Sequence, residues 1–325
     1  MSVHQPSRRL ALPTHVGMAR AIRSAPAGRI SAPYARREDP NFPRPSRSQR
    51  THRIDAVRST PISDERMDSR ERADEHAALC SCQCSDADRL INMTHALTVM
   101  PLHTITQVFG EDGLRERFLL EIEDLPDRDR LTDALALATE LHRNDGYGDE
   151  PYINHLLRVA IRIASHYEVR DPDIVIAGLL HDSVEDHPTE LAGTCQGSPT
   201  ETALAELGER FGPRVAELVA AVTNPAPLPA VDRHAQYRRH VAAELENSPW
   251  ARIVKLSDFT DNGVGILYAE APTMTKLAAK YRPLMAVYRD LVKRPDTPLS
   301  DAVKQHLLTQ LDSAARRFDA ILAND

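Results

Sequence analysis

The chain has 325 residues, enough for one or two domains, and a formal net charge of -7 that is spread unevenly. An Arg-rich first quarter precedes a strongly acidic remainder, which argues against binding to the phosphate backbone of nucleic acid. The sequence has no run of about 18 apolar residues, so neither a membrane-spanning helix nor a membrane partner is expected.

Residues 1–92 are rich in Arg, Pro and Ser and poor in large apolar side chains, a composition that predicts a disordered tail. The same composition fits an organelle transit peptide. It also fits a translation start placed too far upstream, with Met93 or Met100 as the true start. A disordered tail or an upstream start is the preferred interpretation.

Three of the four cysteines lie in this tail, at Cys80, Cys82 and Cys84. Three thiols at such tight spacing suit a soft metal, but no second cluster completes a four-ligand set. We therefore interpret them as reduced thiols in a flexible segment. Nothing in the cysteine pattern indicates disulfides, so the cytoplasm is the expected compartment.

The remainder is predicted to be one all-α domain from about residue 100 to residue 325. Apolar residues recur at three- and four-residue spacing, and no stretch alternates as a strand does. Asp127 and Asp171 are expected N-caps, the second followed by Pro172 at the first helical position. Glycines at 193 and 197, with Pro199, predict a loop. Further helices are predicted near 128–142, from 152, from 172, and over 202–211, 213–223, 232–246, 251–262, 273–292 and 299–323.

One stretch, Ala177–His187, runs from small and apolar residues into four ionisable ones. On a continuous helix, His181 stacks over Glu185 and Asp182 stacks over Asp186. Such groups at the end of an apolar helix are costly unless they bind something. An adjacent His and Asp supply one nitrogen and one oxygen ligand, which suits Mn or Fe. The alternative is a solvated helix end.

Two more residues are candidates to complete a metal site. His155 begins an amphipathic helix, and Asp258 follows an apolar helical run. With His181 and Asp182 they give two nitrogen and two oxygen ligands and leave positions for water and substrate, as metal-assisted hydrolysis requires. Alternatively, His155 is a hydrogen-bonded core residue, and Asp258 belongs to a polar helix face. The stem of Lys255 is expected to pack on the core with its amine in water.

These residues carry a resemblance to the HD-domain metal phosphohydrolases. The resemblance is closer to the hydrolase domain of the RelA/SpoT family, the enzymes of the alarmone (p)ppGpp. It covers about residues 130 to 292 through Gly148-Asp-Glu-Pro-Tyr-Ile-Asn-His155, Gly178-Leu-Leu-His-Asp-Ser-Val-Glu-Asp-His187, Val222-Thr223, Lys255-Leu-Ser-Asp-Phe-Thr-Asp-Asn262 and Tyr281-Arg-Pro-Leu-Met285. The segment after Val292 is too short for that family's synthetase domain, so the chain resembles the small, hydrolase-only members.

The resemblance implies an HD-domain helical bundle that binds one Mn²⁺ ion. Its implied metal ligands are His155, His181, Asp182 and Asp258. Glu185 and Asp186 are implied to hold or deprotonate the metal-bound water, although support of His181 is an alternative role for them.

The resemblance also implies a substrate. Arg143, Asn262 and Tyr281 match positions that bind the nucleotide, although ordinary surface or core roles remain open for all three. The implied substrate is a small guanine nucleotide, ppGpp or pppGpp, from which the 3′-pyrophosphate is removed. Alternatives are another phosphorylated nucleotide, or a nucleotide-binding regulator without turnover. The sequence gives no oligomeric state.

Some residues depart from the family pattern. Leu156 replaces a Pro, Asp149 is inserted, His187 stands where the family has Thr, and Asp261 precedes Asn262. These departures bear on the identity of the substrate more than on metal binding.

Overall fold

A computed structural model describes residues 94–226, 228, 229 and 231–324. The predicted tail and its Cys80–Cys84 cluster lie outside these residues, so the boundary near residue 92 stays a prediction. The structure is built almost entirely of helices. They are α1 (Leu102–Glu121), α2 (Arg128–Leu141), α3 (Ile153–Ile161), α4 (Pro172–Leu180), α5 (Ser183–Asp186), α6 (Pro188–Ala192), α7 (Pro199–Phe211), α8 (Pro213–Val222), α9 (Arg233–Asn247), α10 (Pro249–Asn262), α11 (Ala271–Tyr281), α12 (Met285–Lys293) and α13 (Asp301–Ala323).

The predicted helices are found with ends shifted by a few residues, except for the one predicted over 273–292. That segment divides into α11, a 3₁₀ turn at Arg282–Leu284, and α12. Pro283 lies in the turn, and a proline inside a helix removes a backbone donor and clashes with the preceding turn. The predicted all-α class is therefore confirmed, with one helix interrupted.

The expectation of no strands is wrong at one place. Strands β1 (Gly146–Tyr147) and β2 (Glu150–Pro151) pair antiparallel as a very short hairpin. Gly148 lies between them with φ of 65°, a conformation that a glycine adopts without strain. Two-residue strands are too short to show the alternation by which a strand is recognised in a sequence.

The two predicted N-caps have different outcomes. The side chain of Asp171 accepts a hydrogen bond from the backbone N–H of Asp173, so this cap is confirmed. Asp127 has a left-handed backbone and makes no side-chain cap. Its carboxylate instead accepts a hydrogen bond from Arg130, at 2.9 Å.

Helix α10 runs through the centre of the fold. Its residues 251–261 are buried, and it packs against α3, α4 and α8. Helices α3 and α4 approach each other closely at Gly178, where an added Cβ would lie 3.5 Å from the Cα of Ala160 in α3 and 2.7 Å from the side chain of Ile163 in the turn after α3. The core therefore brings α3, the end of α4 and α10 to one place. Among the described residues, no helix is both long and apolar enough to cross a bilayer.

Candidate metal centre

Four side chains predicted as metal ligands meet between α3, the end of α4 and α10. The Nε2 atom of His155 lies 3.6 Å from Oδ1 of Asp258 and 3.8 Å from Oδ2 of Asp182. The Nε2 atom of His181 lies 3.0 Å from the same oxygen of Asp182 and 3.8 Å from that of Asp258. Ligand atoms about 2.1 Å from a common cation lie at about these separations from each other.

The predicted stacking of His181 over Glu185 on one helix is wrong. Helix α4 ends at Leu180, and α5 begins only at Ser183. The Nδ1 atom of His181 lies 2.9 Å from the Gly178 carbonyl oxygen, which in a continuous α-helix accepts from the amide of Asp182. The turn that results projects His181 and Asp182 towards the other two side chains.

The ring of His181 has one nitrogen left for a ligand. A carbonyl oxygen only accepts hydrogen bonds, so Nδ1 carries the proton in the neutral ring and Nε2 carries the lone pair. Oδ2 of Asp182 lies 3.0 Å from that buried Nε2 atom, but the two atoms do not have hydrogen-bond geometry. A divalent cation at the centre of the four side chains would satisfy it, so the site fits the implied metal.

The buried carboxylate of Asp261, a residue that departs from the family pattern, orients His155. Oδ2 of Asp261 lies 2.9 Å from the Nδ1 atom of His155. The guanidinium groups of Arg158 and Arg162 each donate to Oδ1 of Asp261, at 3.0 and 2.9 Å. Burial raises the pKa of Asp261, but these cations and the hydrogen bond from His155 hold it well below its ordinary value. A charged Asp261 therefore fixes the His155 ring with Nε2 directed at the centre.

Asp258 is held by two neighbours on its own helix. The ammonium of Lys255 lies 2.8 Å from Oδ2, and the amide of Asn262 donates to Oδ1 at 2.5 Å. The expectation that the Lys255 amine lies in water is wrong, because the residue is only 5% exposed. Burial raises the pKa of Asp258, whereas Lys255 and His181 lower it below its ordinary value. The carboxylate is therefore kept in the ionised form that binds a cation.

Two tyrosines of the hairpin region close the other side of the cluster. Tyr147 stacks on the His155 ring, with centroids 4.8 Å apart, and its hydroxyl donates to Asn262 at 2.8 Å. The hydroxyl of Tyr152 donates to Oδ2 of Asp182 at 2.6 Å. Neither contact was predictable from the sequence, since both depend on a hairpin that the sequence pattern does not show.

Glu185 and Asp186 lie on α5, within one turn of Asp182. The side-chain amide of Asn224 donates to Oε1 and Oε2 of Glu185, at 3.1 and 2.8 Å, and the backbone N–H of Asn224 donates to Oε2 at 3.1 Å. Burial and the charge of Asp182 raise the pKa of Glu185. Loss of water around Asp186, with Asp182 and Glu185, raises the pKa of that carboxyl group as well. Each residue is thereby shifted towards the range of a general base that works near neutral pH.

The electrostatics of the centre favour positive charge. Burial lowers the pKa of His181, but Asp182 and Asp258 raise it to about 9. The pKa of Asp182 is held well below its ordinary value, since His181 outweighs the effect of burial. A cluster that stabilises a proton on His181 in this way also stabilises a divalent cation bound among the same groups.

The three predicted nucleotide-binding residues have separate positions. Asn262 belongs to the cluster through Asp258. The side chain of Arg143 is 57% exposed and pairs with Glu140 at 2.7 Å, outside the cluster. Tyr281 is buried and packs edge-on against Phe259, with centroids 5.2 Å apart. The structure therefore brings one of the three to the centre.

The geometry agrees with a comparison against protein families. A family model described as an HD domain matches residues 134–249. Residues 134–249 are therefore similar to an HD domain. This range contains His155, His181 and Asp182, and α10 supplies Asp258 directly after it.

The chain is similar to curated proteins that share one activity in their names. It is 38% identical over 132 residues to the guanosine-3′,5′-bis(diphosphate) 3′-pyrophosphohydrolase MESH1 of Danio rerio, covering 39% of this chain and 64% of that protein. It is 36% identical over 146 residues to the guanosine-3′,5′-bis(diphosphate) 3′-pyrophosphohydrolase of Aquifex aeolicus (strain VF5), covering 45% of this chain and 18% of that protein. The chain therefore spans less than two thirds of the length of either relative.

A solved structure, described as a metazoan ortholog of SpoT that hydrolyzes ppGpp, was also found. It covers 58% of this chain and 94% of its own, with 21% sequence identity and a TM-score of 0.42.

Proposed function

We propose that this chain is a metal-dependent pyrophosphohydrolase that removes the 3′-pyrophosphate of ppGpp or pppGpp. The observation that carries the proposal is the convergence of His155, His181, Asp182 and Asp258 next to Glu185 and Asp186. The names of the relatives indicate the substrate. A divalent ion held by the four ligands, proposed to be one Mn²⁺, would lower the pKa of a bound water.

The chain's own residues would perform the remaining steps. Asp261 orients His155, Lys255 and Asn262 orient Asp258, and Tyr152 orients Asp182. Glu185, whose carboxylate is held by Asn224, and Asp186 are proposed to accept the proton of the attacking water. The water oxygen forms a bond to the phosphorus on the ribose 3′-oxygen, the P–O bond breaks with its electron pair on that oxygen, and the oxygen takes up a proton. The products are GDP or GTP and pyrophosphate.

The exposed position of Arg143 favours a second candidate substrate class. If this arginine does not contact phosphate, another nucleotide with a 3′- or 2′-phosphate becomes a competing substrate for the same chemistry. A nucleotide-binding regulator without turnover is not favoured by any contact in the cluster, because the ligands and both candidate bases come together.

Product analysis separates these possibilities. Purified protein loaded with Mn²⁺, Mg²⁺, Zn²⁺ or Co²⁺ is incubated with ppGpp, pppGpp and a panel of 3′- and 2′-phosphorylated nucleotides. The proposal expects pyrophosphate from the first two and greatest turnover with Mn²⁺. Release of phosphate only from another nucleotide would support the second candidate. Tight nucleotide binding with no product under any metal would identify a regulator.

A further inference from the structure

A second group of metal-ligating side chains lies outside the four-ligand centre. Oδ2 of Asp145 lies 2.8 Å from the Nδ1 atom of His142 and 2.6 Å from the Nε2 atom of His187. One ligand atom from each of the three residues lies within 4.8 Å of the others. The proposed hydrolysis uses none of them, and His187 is one of the departures from the family pattern.

Three separate parts of the chain build this group. His142 follows the end of α2, Asp145 lies just before β1, and His187 lies between α5 and α6. The His142 side chain is fully buried, that of His187 is 14% exposed, and that of Asp145 is 34% exposed. The two imidazole rings meet edge-on, with centroids 4.6 Å apart. The group is therefore enclosed on the histidine side and open to solvent at the carboxylate.

The Nε2 atom of His142 makes no hydrogen bond to a described residue that would fix its protonation. This atom is buried and has no hydrogen-bond partner among the residues that the structure describes. The ring can therefore carry its single proton on either nitrogen without losing a hydrogen bond at Nε2. When the proton is on Nε2, the Nδ1 atom that faces Asp145 has a free lone pair and can bind a cation.

We propose that His142, Asp145 and His187 form a second divalent-cation site, distinct from the four-ligand centre. Two imidazoles and one carboxylate are a donor set that suits Zn²⁺ and Co²⁺, and three protein ligands leave one tetrahedral position for water. The ion would take the place of the protons that the two rings share with Asp145. It would join the segment before the hairpin to the segment directly after Asp186.

Tyr152 contacts one residue of each site. The ring of Tyr152 stacks on His142, with centroids 4.7 Å apart, while its hydroxyl donates to the ligand Asp182. An ion at the second site would therefore fix one side of a tyrosine whose other side orients the first site. This makes the second site a support for the centre and not part of a bridged pair of ions.

Cobalt binding tests the proposal, because Co²⁺ reports its ligands through visible absorption. The starting protein is the full chain with the substitutions Cys80→Ser, Cys82→Ser and Cys84→Ser, so that the thiols of the tail do not bind Co²⁺. Equilibrium dialysis should give two Co²⁺ ions per chain. His155→Ala should leave one ion, and so should His187→Gln, a change that keeps a donor for Asp145 and so preserves the fold. The matched control is His234→Gln, an exposed histidine of α9, which should keep two.

Two results would overturn the second site. One is a single ion in the starting protein that His155→Ala removes completely. The other is an unchanged ion count in both His187→Gln and Asp145→Asn. If the ion at the four-ligand centre, the one that His155→Ala removes, is missing while the ion at the second site is bound, only the four-ligand centre is contradicted. Failure of the proposed hydrolase is therefore distinguishable from failure of this site.

Discussion

The two oxygens of Asp258 have different partners: Oδ2 lies 2.8 Å from the ammonium of Lys255, whereas Oδ1 faces the two ligand histidines. Both residues of this pair are buried. Removing one partner of a buried ion pair leaves an uncompensated charge, which is more costly than never having the pair.

Lys255→Met should therefore destabilise the protein by about 3 kcal/mol in the presence of a chelator. With saturating Mn²⁺ the loss should be smaller, because the cation offsets the charge of Asp258. Urea unfolding with and without Mn²⁺ measures both values. Lys276→Met, on the exposed side of α11, is the control and should have little effect in either condition. Equal losses for Lys255→Met in both conditions would show that Asp258 does not bind the ion.

His181→Ala should abolish Mn²⁺ binding at the four-ligand centre and turnover together, since it removes one of four protein ligands. The count of bound Mn²⁺ per chain, determined by elemental analysis, should fall by one ion. Asp258→Ala should behave in the same way, while His234→Ala should match the starting protein. An unchanged count in both ligand variants would move the ion elsewhere.

Glu185→Gln combined with Asp186→Asn should leave Mn²⁺ bound but lower turnover by roughly 10²- to 10⁴-fold, the usual effect of removing a positioned general base. The amides preserve shape and hydrogen bonding, and the loss of two negative charges should maintain or improve nucleotide affinity. Metal content, nucleotide affinity and turnover are measured on the same variant. Near-normal turnover would exclude both residues from the chemistry, and loss of Mn²⁺ would make at least one of them a ligand.

Asp261→Asn should weaken Mn²⁺ binding by about 10- to 100-fold, because a charged partner no longer orients His155. It should also destabilise the fold, since Arg158 and Arg162 lose their shared carboxylate. Adding Arg158→Met should recover part of the stability but none of the metal affinity. Recovery of both would mean that Asp261 acts only through folding.

His103 should make stability depend on pH. Burial lowers its pKa from 6.5 to about 4, Asp261 opposes this shift, and Arg158 and Arg162 reinforce it. The unfolded chain therefore binds a proton that the folded chain excludes between these values, so the free energy of unfolding falls as the pH falls from 6.5 to about 4. His103→Gln should remove up to about 3 kcal/mol of that dependence. Urea unfolding at several pH values, with His234→Gln as control, measures it; a slope unchanged by His103→Gln would contradict it.

The helices and the His181-Asp182 pair among the four proposed ligands could be predicted from the sequence, because helical periodicity and an adjacent His-Asp pair are local patterns. His155 and Asp258 could be predicted as partners only through a motif resemblance, since nothing local shows that α3 and α10 touch. The break at His181 was not predictable from propensity, because it involves a side-chain bond to the Gly178 carbonyl.

The supporting residues were the least predictable. Asp261 and the amine of Lys255 owe their roles to burial, and burial depends on which helices surround α10. Asp145 and His142 are distant in sequence from His187, so their contact required the folded chain. Arg143 was matched by motif alone, and its side chain is exposed and lies outside the cluster, so its contact with phosphate stays a prediction.

The short hairpin has a consequence for how this protein tolerates sequence change. Its tyrosine at 147 touches one ligand histidine and fastens the amide beside Asp258, and the tyrosine that follows the hairpin fastens Asp182. A substitution that shifts this turn would therefore displace three of the four proposed ligands, although no residue of the turn is itself a proposed ligand. Substitutions in residues 146–152 should thus change which divalent cation the centre prefers. A library of variants confined to this turn is therefore a compact means of changing the preferred ion.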